Sequence, residues 1–166
     1  MGTVKVQKQQ RGFTIIEVVL VLAIAGLIFL MVFIALPALQ AGQRDTQRKS
    51  DLARINTQIS NYQSSNRGKI PSEAAFKGAS GAPGFVEKYL GGTTTETGED
   101  YLNPGTDGGY KFSIGNAEPT EDTPINYYTG QVCGDDGATT GGNARNYTLR
   151  IKLEGQVSPY CIDNAS

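Results

Sequence analysis

The sequence predicts an α+β fold in which a long N-terminal α-helix, transmembrane in its first half and amphipathic in its second, packs on a small antiparallel β-sheet head. Three observations predict it. Residues 13–39, FTIIEVVLVLAIAGLIFLMVFIALPAL, form an apolar run that reaches roughly 40 Å as a helix, more than the roughly 30 Å hydrocarbon core of a bilayer. Leu52, Ile55, Ile59 and Tyr62 recur at three- and four-residue steps, the stripe of a helix that covers a surface. Tyr147, Leu149, Ile151 and Leu153 alternate with Thr148, Arg150, Lys152 and Glu154, a period of two that gives a strand one dry and one wet face.

Taken in order, residues 1–12 form a short leader with Lys5, Lys8 and Arg11 and no acid. Basic flanks favour the cytoplasmic side, although Arg44, Arg48 and Lys49 beyond the apolar run oppose the rule. Within the run stands one carboxylate, Glu17. An ionised side chain in hydrocarbon costs at least about 2.5 to 3.5 kcal/mol, so a chain needing only an anchor gains from valine there. Glu17 is therefore a functional candidate. A secretory signal peptide does not fit, because its cleavage site follows the apolar segment. Here the small residue, Gly12, precedes it.

The residues RGFTIIEVVLVLAIAGLI resemble the class III signal and N-terminal helix of type IV prepilins and the related pseudopilins. The resemblance is specific over residues 9–36, consistent to about residue 66 and architectural beyond. It implies cleavage by a prepilin peptidase between Gly12 and Phe13 and N-methylation of the new Phe13 amine. It also implies a pilin fold, a single-pass precursor in the cytoplasmic membrane with its N-terminus inside, and an extracellular filament after assembly. The expected partners are the peptidase, a pilus assembly platform and other copies, in a helical homopolymer or mixed filament. Physical chemistry agrees: a cationic amine at the positive end of a helix, in apolar surroundings, requires an anion. Glu17 lies one turn along the same face and can answer its own amine or a neighbour's, and the family's behaviour favours the neighbour.

The helix is expected to continue from the apolar segment through residues 40–67, with Asp45–Lys49 and Asp51–Arg54 as same-face ion pairs, until Gly68 and Pro71 stop it. Gly26 and Pro37 are expected to break its apolar half, either as a static kink or as the segment that loses helical order in assembled filaments of the family. Residues 68–166 are left for the head. Residues 72–108, rich in glycine and threonine, read as a loop with one turn of helix around Phe85, Val86, Tyr89 and Leu90. Strands are expected at 110–114 and 125–132, before the clearest one at 147–154.

Roughly 100 residues make one small domain, which a covalent staple helps. In an outward-facing domain Cys133 and Cys161 are expected to pair, as in the disulfide-bounded C-terminal loop of many pilins, the alternative being two buried thiols. The chain has no histidine, which removes imidazole bases and histidine metal sites, and no nucleophile stands with a base in residues 72–166. No enzyme activity and no cofactor are expected. Asp107, Asp135 and Asp136 lie among glycines and are calcium candidates without a complete calcium-loop spacing. Asn146-Tyr147-Thr148 and Asn164-Ala165-Ser166 match the glycosylation acceptor pattern, which is common by chance.

Lys and Arg number 15 against 16 Asp and Glu, and loss of the basic leader makes the mature chain more acidic, so no specific nucleic acid is expected as a partner. Arg44, Arg48, Lys49, Arg54, Arg67 and Lys69 give the helical arm a basic character, while residues 96–136 are acidic. Such a subunit suits head-to-tail packing, although charge that only keeps the head soluble reads the same way. Three functional classes follow: a structural type IV pilus subunit serving adhesion, twitching motility or DNA uptake, a pseudopilin of a type II secretion or competence system, and a membrane-tethered binding domain.

Overall fold

A computed structural model describes residues 12–79 and 82–165. The leader residues 1–11 and Ser166 of the second acceptor pattern lie outside the described residues. The chain forms two compact units, one ending at Leu39 and one running from Gln40.

Helix α1 comprises Ile15–Ser65. In its first unit the helix is long and apolar enough to cross a membrane, and none of that stretch is buried. α1 passes through both Gly26 and Pro37. A proline removes one backbone hydrogen bond and crowds one turn, and the strong helix formers on either side, such as Leu36, Ala38 and Leu39, carry the helix on.

The second unit is an α+β head. Its long element is the remainder of α1, from which Leu52, Ile55 and Ile59 are wholly buried, each contributing about 1.5–3 kcal/mol by the transfer scale. Arg67 and Gly68 both take positive φ, 56° and 75°, and close the helix end, with the Gly68 amide donating to the Gln63 carbonyl at 2.8 Å. The stretch expected to be mostly loop holds two short helices, α2 (Glu73–Lys77) and α3 (Phe85–Leu90), and a two-stranded ribbon, β1 (Gly78–Ala79) with β2 (Ala82–Pro83). Phe76 and Phe85 pack with tilted rings at 5.0 Å between centroids, and Phe76 stacks on Tyr127 at 4.2 Å, so these helices seal one edge of the core.

The main sheet has four strands in the order β3 (Phe112–Ile114), β4 (Ile125–Thr129), β7 (Tyr147–Ile151), β8 (Tyr160–Asp163). It is mixed, not purely antiparallel: β3 and β4 run parallel, with Phe112 opposite Ile125, while β4–β7 and β7–β8 are antiparallel. The connection allows this. Residues 115–124 form a crossover loop long enough to return the chain to the end from which β3 started, which a tight hairpin turn does not do.

The strand expected over 125–132 is divided at Gly130, whose φ of 72° turns the chain out of the sheet. Its continuation, β5 (Gln131–Cys133), pairs instead with β6 (Thr139–Gly141) in a separate ribbon. The expected wet face of the third strand is also corrected. All five residues of β7 are buried, Thr148 and Arg150 included, because the 115–118 loop covers Arg150 and the Thr148 hydroxyl is enclosed without a hydrogen-bond partner.

Candidate functional site

Gly12, Phe13 and Thr14 are non-helical and exposed, and among the described residues a side chain on Gly12 would meet nothing within 4 Å. The Gly12–Phe13 bond thus lies in open backbone immediately before α1. Thr14 is the N-cap. Its amide and hydroxyl both donate to the Glu17 carboxylate, at 3.0 and 2.9 Å, and the Glu17 amide donates back to the Thr14 hydroxyl at 3.4 Å. This is a capping box, in which Thr-x-x-Glu satisfies amides that the first helical turn leaves unpaired. In the uncut chain the Phe13 nitrogen belongs to a peptide bond, and among the described residues Glu17 bonds to Thr14.

Around that carboxylate the surface is apolar: Phe13, Ile16, Leu20 and Val21 border the same depression. Phe13 is 89% exposed, and from Ile15 to Leu39 the large apolar side chains project outward without intramolecular cover. An apolar surface of this extent requires lipid or other apolar helices. A lone acid on it is costly in either setting unless it is paired.

In the head, α1 is held to the sheet by polar contacts as well as by its stripe. Arg44 grips Glu154 with Nε at 2.9 Å and Nη2 at 2.6 Å, and Arg48 Nη2 reaches the same carboxylate at 2.9 Å. The Asp45 carboxylate accepts the amides of Glu154 and Gly155 at 2.8 and 2.9 Å. The expected Asp45–Lys49 pair is replaced, because Asp45 is turned to these amides and to Arg48 at 3.6 Å, while Lys49 lies 5.1 Å above the Tyr160 ring. The Arg44 guanidinium holds the Glu154 carboxyl below the usual carboxylate range, and that carboxylate in turn raises Arg44. Asp51 pairs with Arg54 at 3.1 Å, as expected, and accepts from the Tyr110 hydroxyl at 2.9 Å. Burial, then the charge of Asp51, pushes the Tyr110 phenol up. Arg44, Arg48 and Arg54 therefore form ion pairs within the molecule.

Cys133 and Cys161 form a disulfide that ties β5 to β8 across a sequence separation of 28. The Asp163 carboxylate accepts the Cys133 amide beside it at 2.6 Å. A second buried anchor is Arg150, 1% exposed, which donates to Glu118 at 2.8 Å, to the Ala117 carbonyl at 2.6 Å and to Asn126 at 3.2 Å. It pins the crossover loop to the sheet. Asp107 lies in a different loop from Asp135 and Asp136, and among the described residues no three acids, cysteines or histidines group as a metal site. The Asn146 carboxamide is engaged, accepting from the Asn143 amide at 2.7 Å, and Thr148 of the same acceptor pattern is buried.

Sequence reasoning placed Gly12, Phe13 and Glu17 at one end of α1, where the structure also has them. It missed Thr14, although the Thr-x-x-Glu spacing is a readable cap signal. It also missed the Glu154 clasp and the burial of Arg150, which no local pattern encodes.

Residues 7–33 match a family model described as the prokaryotic N-terminal methylation motif. That motif is typical of type IV pilins and pseudopilins. No curated protein and no solved structure matches the chain.

Proposed function

We propose that this chain, whose N-terminal segment is of the prepilin type, is a structural subunit of a type IV pilus, cut after Gly12, methylated on Phe13 and polymerised through its apolar helix. The observation that carries the reading is Glu17: a single carboxylate on an uncovered apolar helix, four residues after the residue that becomes the N-terminus. Cleavage converts the Phe13 amide into a cation and removes residues 1–12. In apolar surroundings the strongest partner for that cation is a carboxylate, and a growing filament brings one from each adjoining copy.

The role is structural, not catalytic. Before assembly the apolar helix holds the chain in the cytoplasmic membrane as a single pass with the leader inside, and residues 40–166 face outward. In the filament the apolar helices form the core and the heads its surface. An outward-facing head agrees with the disulfide, since such bonds persist in oxidising compartments. The assembly platform and the prepilin peptidase are the other partners the reading requires.

Shearing cells and measuring the intact mass of the released chain tests this directly. A chain starting at methylated Phe13 in the sheared fraction supports an extracellular pilus. The same processed chain retained wholly in the envelope identifies a pseudopilin instead. A chain that keeps its leader contradicts both.

A further inference from the structure

The acidic and basic character of the head is polar along α1, and the structure changes which residues carry it. Arg44, Arg48 and Arg54 are occupied by Glu154, Asp45 and Asp51. Arg67 and Lys69, just beyond the end of α1, are exposed, and among the described residues neither has a carboxylate within ion-pair distance. They border a cavity of about 450 Å³ with Tyr62, Ser65, Asn66 and Ser72. No acid lines it, and Glu73, the nearest in sequence, has its carboxylate against Gly115.

A second cleft, of about 170 Å³, gathers Glu96, Glu121 and Asp122 around Gly108 and Gly109, with Lys111 as its one cation. Glu121 and Asp122 are exposed on the crossover loop, which Arg150 pins in place. The cleft adjoins α1 at Arg48, since Asn103, Thr106, Glu121 and Pro124 also border the cavity that Arg48 lines. From Arg48 to Ser65 the helix advances about 26 Å at 1.5 Å per residue. The head therefore has a net acidic cleft at one end of its helix and an uncompensated basic one at the other.

We propose that the Arg67–Lys69 end of one copy docks on the Glu96–Glu121–Asp122 cleft of a second copy, as the contact between successive heads. This rests on the filament reading above. Among copies that point the same way, as the apolar helices of the filament reading require, opposite charges at the two ends of one element make a heterologous, head-to-tail contact, which propagates into a fibre.

The test is zero-length carbodiimide coupling of the full-length processed protein, both sheared and membrane-held, followed by peptide mapping. A Lys69–Glu121 or Lys69–Asp122 linked peptide is expected. The separation of the two clefts within one head excludes an intramolecular origin. In parallel, the double variants Arg67→Glu/Lys69→Glu and Glu121→Lys/Asp122→Lys are each expected to lower assembled protein by about tenfold or more, and the quadruple variant to restore it. Both clusters are exposed, so thermal unfolding of the variants should match the parent. Wild-type filaments without the linked peptide, reversed variants that assemble normally, or failure of the quadruple variant to restore assembly overturns the docking and leaves the filament reading standing. Absence of any wild-type polymer, in membrane or supernatant, overturns both.

Discussion

Arg44 and Glu154 stand 110 residues apart in sequence and meet in a two-point ion pair, with Arg44 Nη2 at 2.6 Å from Glu154 Oε2. The pair joins the first turns of α1 in the head to the loop after β7, so it reports whether helix and sheet are docked. Because the folded state holds the Glu154 carboxyl below its ordinary value, the stability it contributes is complete above the unfolded value of 4.5. It is lost as pH falls through the lower folded value. The Glu154→Gln variant should melt about 2–5 °C lower than the parent at pH 7, and this difference should shrink below pH 4. Thermal melts over pH 3–7 check this, and a difference independent of pH contradicts it.

The disulfide should supply much of the head's stability. Closing a segment with a separation of 28 contributes about 3.5 kcal/mol on the loop-entropy model. Replacing both Cys133 and Cys161 with serine is expected to lower denaturant stability by about 2–5 kcal/mol, while cleavage after Gly12 continues. Loss of cleavage in that variant contradicts the independence of the two units' roles.

Arg150 offers a separate test of the sheet. Arg150→Leu leaves the Ala117 carbonyl and the Asn126 side chain without their donor, at a cost of about 2–4 kcal/mol. Glu118→Gln, at a side chain 73% exposed, should cost less than about 1 kcal/mol. Equal costs measured by urea unfolding contradict the view that the buried end of this pair carries the stability.

Thr14 should matter to the helix start. Thr14→Ala removes both hydroxyl contacts with Glu17, so amides of the first turn in the uncut chain should exchange about fivefold faster in detergent, as expected for a cap worth about 1 kcal/mol. Unchanged exchange contradicts the capping box.

What was legible in the sequence is what local periodicity encodes. The Leu52–Ile55–Ile59 stripe and the alternation of Tyr147, Leu149 and Ile151 named core residues correctly, since all six are buried. The direction of β3 relative to β4 was not legible, because a ten-residue connection permits either sense and only side-chain contacts such as Asn126 to the Gly115 carbonyl select one. Arg150 was read as wet for a related reason: period-two reasoning assumes a single covered face, and the loop over the second face comes from elsewhere in the chain. α1 runs through Pro37, since one missing hydrogen bond does not stop a helix whose flanks favour it. The Asp45–Lys49 pair obeyed helix spacing but lost its acid to backbone amides more than 100 residues away. Glu17 was legible because an acid in an apolar run is chemically conspicuous. Its contact with Thr14 follows from the Thr-x-x-Glu spacing of a capping box.

The most direct measurement is filament assembly by Glu17→Val. Valine makes the helix more comfortable in lipid, so any loss of assembly reflects a missing pair between copies and not poorer insertion. The variant should reach the membrane, fold its disulfide-bonded head and be at least partly cleaved after Gly12, yet release no sheared filaments. Glu17→Gln should fail nearly as badly, since it keeps the shape and removes the charge. Filaments of ordinary yield built from Glu17→Val subunits would show that the carboxylate is incidental and that the apolar helix is only an anchor.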